Sequence, residues 1–256
     1  MQTEISKVLA EQEKQRGCRI LFAAESGSRA WGFASADSDY DIRIIYQNPY
    51  DWYLKIEERP EDTFAVMLPG DLDLAGWELR KTLRLFYSCN LALYEWLQSP
   101  IIYQAESVFH ARLRNLIPSY FKPEKAVCHY LSMYRRAMED LDANKTIRIK
   151  KLFYALRAIL AAAWSGLRQS MPPTEFSRLL ESDLVMPELR TLIIELQQQK
   201  QNTGEAARVA LPLPLADFIA DWDAQLTTLA PTLSNQLTGA DPLDRLLLDC
   251  VSERME

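Results

Sequence analysis

Glycine and short β-branched runs crowd one end of this chain, and that asymmetry limits its possible folds more than any other feature. Five of the eight glycines (Gly17, Gly27, Gly32, Gly70 and Gly76) fall in the first 76 of 256 residues. They punctuate short apolar segments that read as strands and turns. The remaining two thirds is rich in Leu, Ala, Gln and Arg, the composition of packed helices. The pattern predicts an α+β chain in which an α/β N-terminal part precedes an all-helical part.

Residues 3–16 read as a helix ending at Gly17. Residues 18–24, 41–46, 63–68 and 71–74 read as strands, with Pro69-Gly70 as a tight turn. Apolar residues from Gly76 to Leu97 recur at helical spacing (Leu79, Leu83, Phe86, Leu93, Trp96, Leu97). From about Ala105 onward only helices are expected, near 124–143, 147–169, 174–182, 187–202, 213–228 and 241–254. Pro118 and Pro123 bracket a linker, which divides the chain into domains at 1–117 and 118–256.

With 48% hydrophobic and 25% charged residues, a chain of this length can bury a sizeable core. No stretch is long and apolar enough for a transmembrane helix, and residues 1–16 lack the apolar centre of a secretory signal. The four cysteines (Cys18, Cys89, Cys128, Cys250) form no CxxC pair and read as reduced, buried thiols of a cytoplasmic protein. With only His110 and His129, a histidine-based metal site or catalytic triad is disfavoured, and His129 reads as structural. The net charge of −6 argues against indiscriminate nucleic-acid binding. It conceals a basic middle: residues 122–157 carry nine Lys/Arg against four Asp/Glu, whereas residues 181–256 carry five against thirteen. A basic region of that kind suits an anionic ligand.

The chemistry concentrates in one stretch. Asp39 and Asp41 are separated by one residue at the start of a predicted strand, so both point to one face. Adjacent carboxylates repel unless a cation lies between them, and a hard divalent ion such as Mg²⁺ takes oxygen ligands. Taken alone, Asp-Ser-Asp-Tyr-Asp is also compatible with a solvated turn. Upstream, Gly27-Ser28 follows a strand and opens a short helix, where backbone N–H groups and a serine hydroxyl can hold phosphate. Arg29 either reaches that phosphate or pairs with Glu25 or Asp37. Further on, Asp71-Leu-Asp-Leu74 puts Asp71 and Asp73 on the face opposite the leucines, and either can complete a carboxylate set.

Gly-Ser, then Asp-x-Asp at the start of a strand, then a third carboxylate on an adjacent strand resembles the DNA polymerase beta-like nucleotidyltransferase superfamily. Longer words narrow the likeness: Gly-Ser-Arg-Ala-Trp-Gly-Phe33, Asp37-Ser-Asp-Tyr-Asp-Ile-Arg43, Asp73-Leu-Ala-Gly-Trp-Glu-Leu-Arg-Lys81, Glu95-Trp-Leu-Gln-Ser-Pro-Ile-Ile-Tyr103 and Phe153-Tyr-Ala-Leu-Arg157. These resemble the branch described as the RNA repair pathway, DNA polymerase beta family, over roughly residues 18–180. Departures are small: Ala36 stands where proline is expected, and Leu91 follows Asn90 where Asn-Pro is expected. The resemblance implies an N-terminal nucleotidyltransferase domain with a mixed sheet and a helical domain that binds nucleotide and acceptor. It implies Gly27 and Ser28 on phosphate, and Asp39, Asp41 and Asp73 as catalytic ligands of Mg²⁺ or Mn²⁺, with Asp71 the competitor for the third place. It further implies an NTP substrate and an acceptor hydroxyl, for which an RNA or DNA 3′ end and a protein or small-molecule hydroxyl are equally open.

A second constellation lies on a predicted helix. Lys150, Tyr154 and Arg157 are spaced i, i+4, i+7 and share one face. Cations there suit phosphates and a ring suits a base; a solvated helix edge fits equally. Arg80, Lys81 and Arg84 read as a solvated face or a cleft wall, and Trp31 and Trp77 as core. The rival functions are a nucleotide- or RNA-binding regulatory protein without chemistry, and a metal-dependent phosphohydrolase using the same aspartates.

Overall fold

The computed structural model describes residues 1–35, 38–56, 62–203, 207–235 and 237–252. The chain forms two compact units, one of Met1–Ala30, Asp39–Tyr120 and Leu237–Glu256, the other of Trp31–Ser38 and Phe121–Gln236.

The first unit is built on a five-stranded sheet. Helix α1 (Gln2–Arg16) stops at Gly17, whose φ of 60° is the left-handed conformation glycine adopts without a Cβ penalty, and whose N–H caps the Glu13 carbonyl. Strands β1 (Arg19–Glu25), β2 (Tyr40–Gln47), β3 (Thr63–Leu68), β4 (Leu72–Glu78) and β5 (Ile102–Ala105) are arranged in the order β3-β4-β2-β1-β5. β2 and β4 run parallel and the other neighbours antiparallel, so the sheet is mixed. Ile5 and Leu9 of α1 pack with Ile20, Ala23, Ile42, Ile44, Leu72 and Leu74 into one buried cluster on the sheet. Burial of that apolar area is the main source of stability.

The helix expected from Gly76 to Leu97 is instead the end of a strand followed by two helices. β4 continues to Glu78, paired with Tyr46. A Cβ on Gly76 would lie 2.3 Å from the Phe64 ring, so glycine lets the ring of β3 cross the strand. Glu78 then caps α4 (Leu79–Tyr87) by accepting the Lys81 N–H. Cys89, at φ 58°, breaks the helix, and Asn90 caps α5 (Leu91–Leu97) through the Leu93 N–H. Among the described residues between β2 and β3 there is one helical turn, α3 (Tyr50–Tyr53). Pro118 lies inside α6 (Ser107–Tyr120) rather than in a linker, and only residues 121–122 separate that helix from the next. The acidic chain end returns to this unit. In α12 (Asp241–Val251), Leu243, Leu246 and Cys250 are buried. Gln47 donates to the Cys250 carbonyl at 3.0 Å, and Arg112 pairs with Asp249 at 2.7 Å.

The second unit is mainly helical. α7 (Pro123–Met138) and α8 (Ile149–Arg168) form its centre, joined by α9 (Phe176–Leu180), α10 (Pro187–Thr203), α11 (Leu213–Leu229) and a 3₁₀ turn at Ala230–Thr232. Gly166 lets α8 approach its neighbours closely: a Cβ there would meet Leu229 at 2.9 Å and Val127 at 3.3 Å. The expectation of helices alone is corrected by a small antiparallel pair, β6 (Thr146–Arg148) with β7 (Arg208–Ala210). Three-residue strands carry too little alternation to register as a pattern. Their anchors are Asp140 and Asp142, which accept hydrogen bonds from Arg148, Thr146 and Arg208. Those bonds hold both carboxyls below the usual range, through Arg148 at Asp140 and through Thr146 at Asp142.

The cysteines are not uniformly buried. Cys89 and Cys250 are enclosed, Cys18 is half-buried and Cys128 is exposed on α7. Burial pushes the Cys250 thiol up to about 12. A thiol raised in the folded state keeps its proton there, so its contribution to stability falls as pH rises from 9 through about 12. With a thiol reagent at pH 8, Cys128 is expected to react fast, and Cys89 and Cys250 only on unfolding. Rapid native labelling of Cys250, read by peptide mass, would contradict this burial.

Candidate active site

The parallel pairing of β2 and β4 sets the geometry. Asp41 is the register partner of Asp73, so two carboxylates stand side by side on adjacent strands. Arg43, two residues along β2 and therefore on the same face, reaches back to both. Its Nη2 lies 2.7 Å from Asp41 Oδ1 and 2.8 Å from Asp73 Oδ2, and its Nη1 donates to the Asp73 carbonyl at 3.1 Å. The three side chains are 17–31% exposed, so the cluster is open to solvent at its rim.

Gly27 closes one side of the cluster. It begins α2 (Gly27–Trp31) at φ +61°, and a Cβ there would lie 2.2 Å from Asp41 Oδ2. Only glycine permits so close an approach of backbone to carboxylate. Ser28 next to it is buried. Ser26 N–H donates to the Asp41 carbonyl at 2.8 Å, tying this turn to the start of β2.

Glu25, fully buried at the end of β1, supports the site from behind. Its carboxylate accepts the Asp41 N–H at 2.7 Å and the Tyr103 hydroxyl. Burial pushes this carboxyl up, opposed by those two hydrogen bonds, while the Asp41 charge raises it and Arg29 lowers it. A carboxyl raised on folding binds its proton more tightly when folded. Its contribution to stability therefore falls as pH rises from the ordinary 4.5 through the raised value.

The remaining candidates are placed as follows. Asp39 lies exposed, just before β2 begins, and its carbonyl accepts the Arg29 Nε–H at 3.0 Å. The Arg29 guanidinium lies 3.7 Å over the Tyr40 ring. Asp37 and Ala36 lie outside the described residues. Asp71 is in the β3–β4 turn at φ 56°, and its carbonyl accepts the Tyr40 N–H. Asp73, not Asp71, is thus the carboxylate beside Asp41. Lys81 pairs with Asp62, and Trp77 stacks on Trp96 at 4.0 Å.

In the second unit, Lys150, Tyr154 and Arg157 share one side of α8. Lys150 lies 6.0 Å from the Tyr154 ring centre, and Tyr154 meets Trp31 edge-on at 5.1 Å. Arg157 is 1% exposed, 4.3 Å over the Trp31 ring, and donates to the Thr174 carbonyl. It is therefore a buried support beneath Trp31, not a surface cation.

Arg43 and Glu25 are the site residues that motif reading passes over. Both had a signal: Arg43 has the same parity as Asp41, and Glu25 is the only acidic residue in an otherwise apolar strand after Arg19. Among the described residues, no three His, Cys, Asp or Glu side chains are gathered closely enough to hold a metal ion as they stand. Asp41 and Asp73 nevertheless supply the hard oxygen donors that Mg²⁺ or Mn²⁺ prefers, and their shared cation position is filled by Arg43.

Comparison with known sequences places the chain among the DNA polymerase beta-like nucleotidyltransferases. It belongs to the RNA repair pathway DNA polymerase beta family, RlaP, whose family model matches residues 1–249. A curated relative, the uncharacterized protein YcgL of Bacillus subtilis (strain 168), is 39% identical over 254 residues, covering 99% of this chain and 97% of that protein. Among solved structures, a nucleotidyltransferase-like protein from Exiguobacterium sibiricum 255-15 aligns with 98% of this chain and 81% of its own at 11% identity. Its TM-score of 0.32 is too low to bear on fold or function. No helix among the described residues is long and apolar enough to cross a membrane.

Proposed function

We propose that this protein transfers a nucleotidyl group from an NTP to an acceptor hydroxyl and releases pyrophosphate. The observation that carries the reading is the register of Asp41 against Asp73, with a single cationic atom between their oxygens. Two carboxylates held together at an open rim repel unless a cation lies between them, and such a cluster is a candidate for cation-dependent chemistry.

In this reading Asp39, Asp41 and Asp73 hold Mg²⁺ or Mn²⁺. When bound, the metal neutralises charge on the phosphates and lowers the pKa of the acceptor hydroxyl. Gly27 and Ser28 cradle the phosphates, and Arg29 adds positive charge beside them. Glu25 fixes the Asp41 backbone and so the direction of its carboxylate. Lys150 and Tyr154, with Arg157 supporting Trp31, form a nucleotide-binding face on the helical unit of Trp31–Ser38 and Phe121–Gln236. The unit built on the sheet carries the catalytic carboxylates. The acceptor oxygen attacks the α-phosphorus, the bond to pyrophosphate breaks, and the hydroxyl proton passes to solvent. Most of the catalysis is positioning and charge neutralisation. An RNA end is the acceptor favoured by the family name and the basic 122–157 region.

The test is incubation with each α-³²P-labelled NTP, Mg²⁺ or Mn²⁺ and total RNA, beside an Asp41→Asn/Asp73→Asn control. Metal-dependent label on RNA or protein, absent from the control, is the expected result. Label that persists in the control would sink the assignment. Nucleotide binding without transfer would favour the regulatory reading, and free phosphate without label the hydrolytic one.

A further inference from the structure

The bond pattern around Arg43 differs from an ordinary structural salt bridge. Arginine normally meets a carboxylate through its fork, with two nitrogens on two oxygens of one partner. Here one nitrogen serves two carboxylates, at 2.7 and 2.8 Å, and the other is given to the Asp73 and Ile42 carbonyls at 3.1 and 3.4 Å. Nη2 therefore occupies the point from which one cation touches both acids. A divalent ion bound to the same two oxygens needs distances of about 2.0–2.6 Å and would fill the volume that Nη2 fills. Arg43 and such an ion exclude one another. On the far side, Asp41 Oδ2 is turned toward Gly27.

We propose that Arg43 is the resting counter-cation of the Asp41–Asp73 pair, displaced when a divalent cation takes those oxygens, and that it thereby sets the metal affinity of the site. The inference rests on the metal assignment proposed above. Charge supports it: with Arg43 in place the cluster carries a net single negative charge, and without it two, which strengthens attraction for a divalent ion. A guanidinium that leaves the carboxylates keeps its bond to the Asp73 carbonyl, so it swings aside rather than away. If the metal-competent arrangement is the minor one, apparent affinity is the intrinsic affinity reduced by its population.

Mn²⁺ binding, read as loss of the free-ion paramagnetic resonance signal, tests this in wild type, Arg43→Met, Arg43→Gln and Asp73→Asn. Both Arg43 variants are expected to bind Mn²⁺ about tenfold more tightly, as when the competent form is about a tenth of the population. In the Asp73→Asn background the gain should vanish. Without metal, the Arg43 variants should melt below wild type, and saturating Mn²⁺ should return them; a variant that folds only with Mn²⁺ also supports the proposal. Gln keeps a donor for the Asp73 carbonyl if Met does not fold. Folded Arg43 variants that bind Mn²⁺ no more tightly than wild type, in a site that Asp73→Asn still abolishes, would overturn displacement and leave the metal assignment standing. Mn²⁺ binding indifferent to Asp73→Asn in every background would overturn both.

Discussion

Asp73→Asn is expected to abolish nucleotidyl transfer, by about a thousandfold or more, while leaving the protein as stable as wild type. On the proposed function, the size follows from losing a carboxylate that helps hold the metal, since the metal neutralises charge at the reacting centre and even one neutral donor there is worth about 10²–10³ in rate. The unchanged stability follows from local charge. Asp41 and Asp73 share one guanidinium nitrogen, so removing one negative charge leaves a balanced Asp41–Arg43 pair. For partly exposed ion pairs the net change should stay within about 1 kcal/mol. Urea unfolding and the labelled-NTP assay on the same preparation separate the two effects. A variant that loses stability in step with activity would make Asp73 a structural residue.

Gly27→Ala should damage both. At φ +61°, a Cβ costs about 1–2 kcal/mol in backbone strain. The same methyl would lie 2.2 Å from Asp41 Oδ2, so the carboxylate or the turn must move, at a further cost of about 1–3 kcal/mol. The control is Gly17→Ala, where φ is +60° and nothing lies within 4 Å of the added Cβ. The difference between the two urea midpoints isolates the clash with Asp41. Equal losses would mean that Gly27 does not lie against that carboxylate. Transfer should fall in Gly27→Ala and survive in Gly17→Ala.

Much of the first unit was legible because its signals are local. Gly17 as a helix stop, Pro69-Gly70 as a tight turn after Thr63–Leu68 and the Asp-x-Asp before a β-branched run each depend on a few neighbouring residues. The helix expected from Gly76 failed for a non-local reason. Buried Leu72, Leu74, Gly76 and Glu78 alternate as a strand because β4 is held between β2 and β3, and that pairing overrides the helical spacing starting at Leu79. The β6–β7 pair joins segments about sixty residues apart, each too short to announce itself. The return of α12 to the first unit has no local signal, since the contacts of Gln47 with Cys250 and Arg112 with Asp249 are fixed only by packing.

The candidate site divides along the same line. The sequence by itself determined which chemistry is available: a Gly-Ser turn, paired aspartates, a third carboxylate and membership of a nucleotidyltransferase family. Strand parity is a property of the backbone, so it also determined that Asp41 and Arg43 share a face. Only the tertiary structure decided that Asp73 rather than Asp71 stands beside Asp41, because that depends on register. The β3–β4 turn places Asp71 at φ 56°, outside the ladder, and β4 then enters beside β2 with Asp73 opposite Asp41. A slip of one residue would have turned Asp73 to the other face. Tertiary packing alone also put Glu25 behind Asp41 and buried Arg157 beneath Trp31, since helical spacing gives a residue's direction but not what lies there.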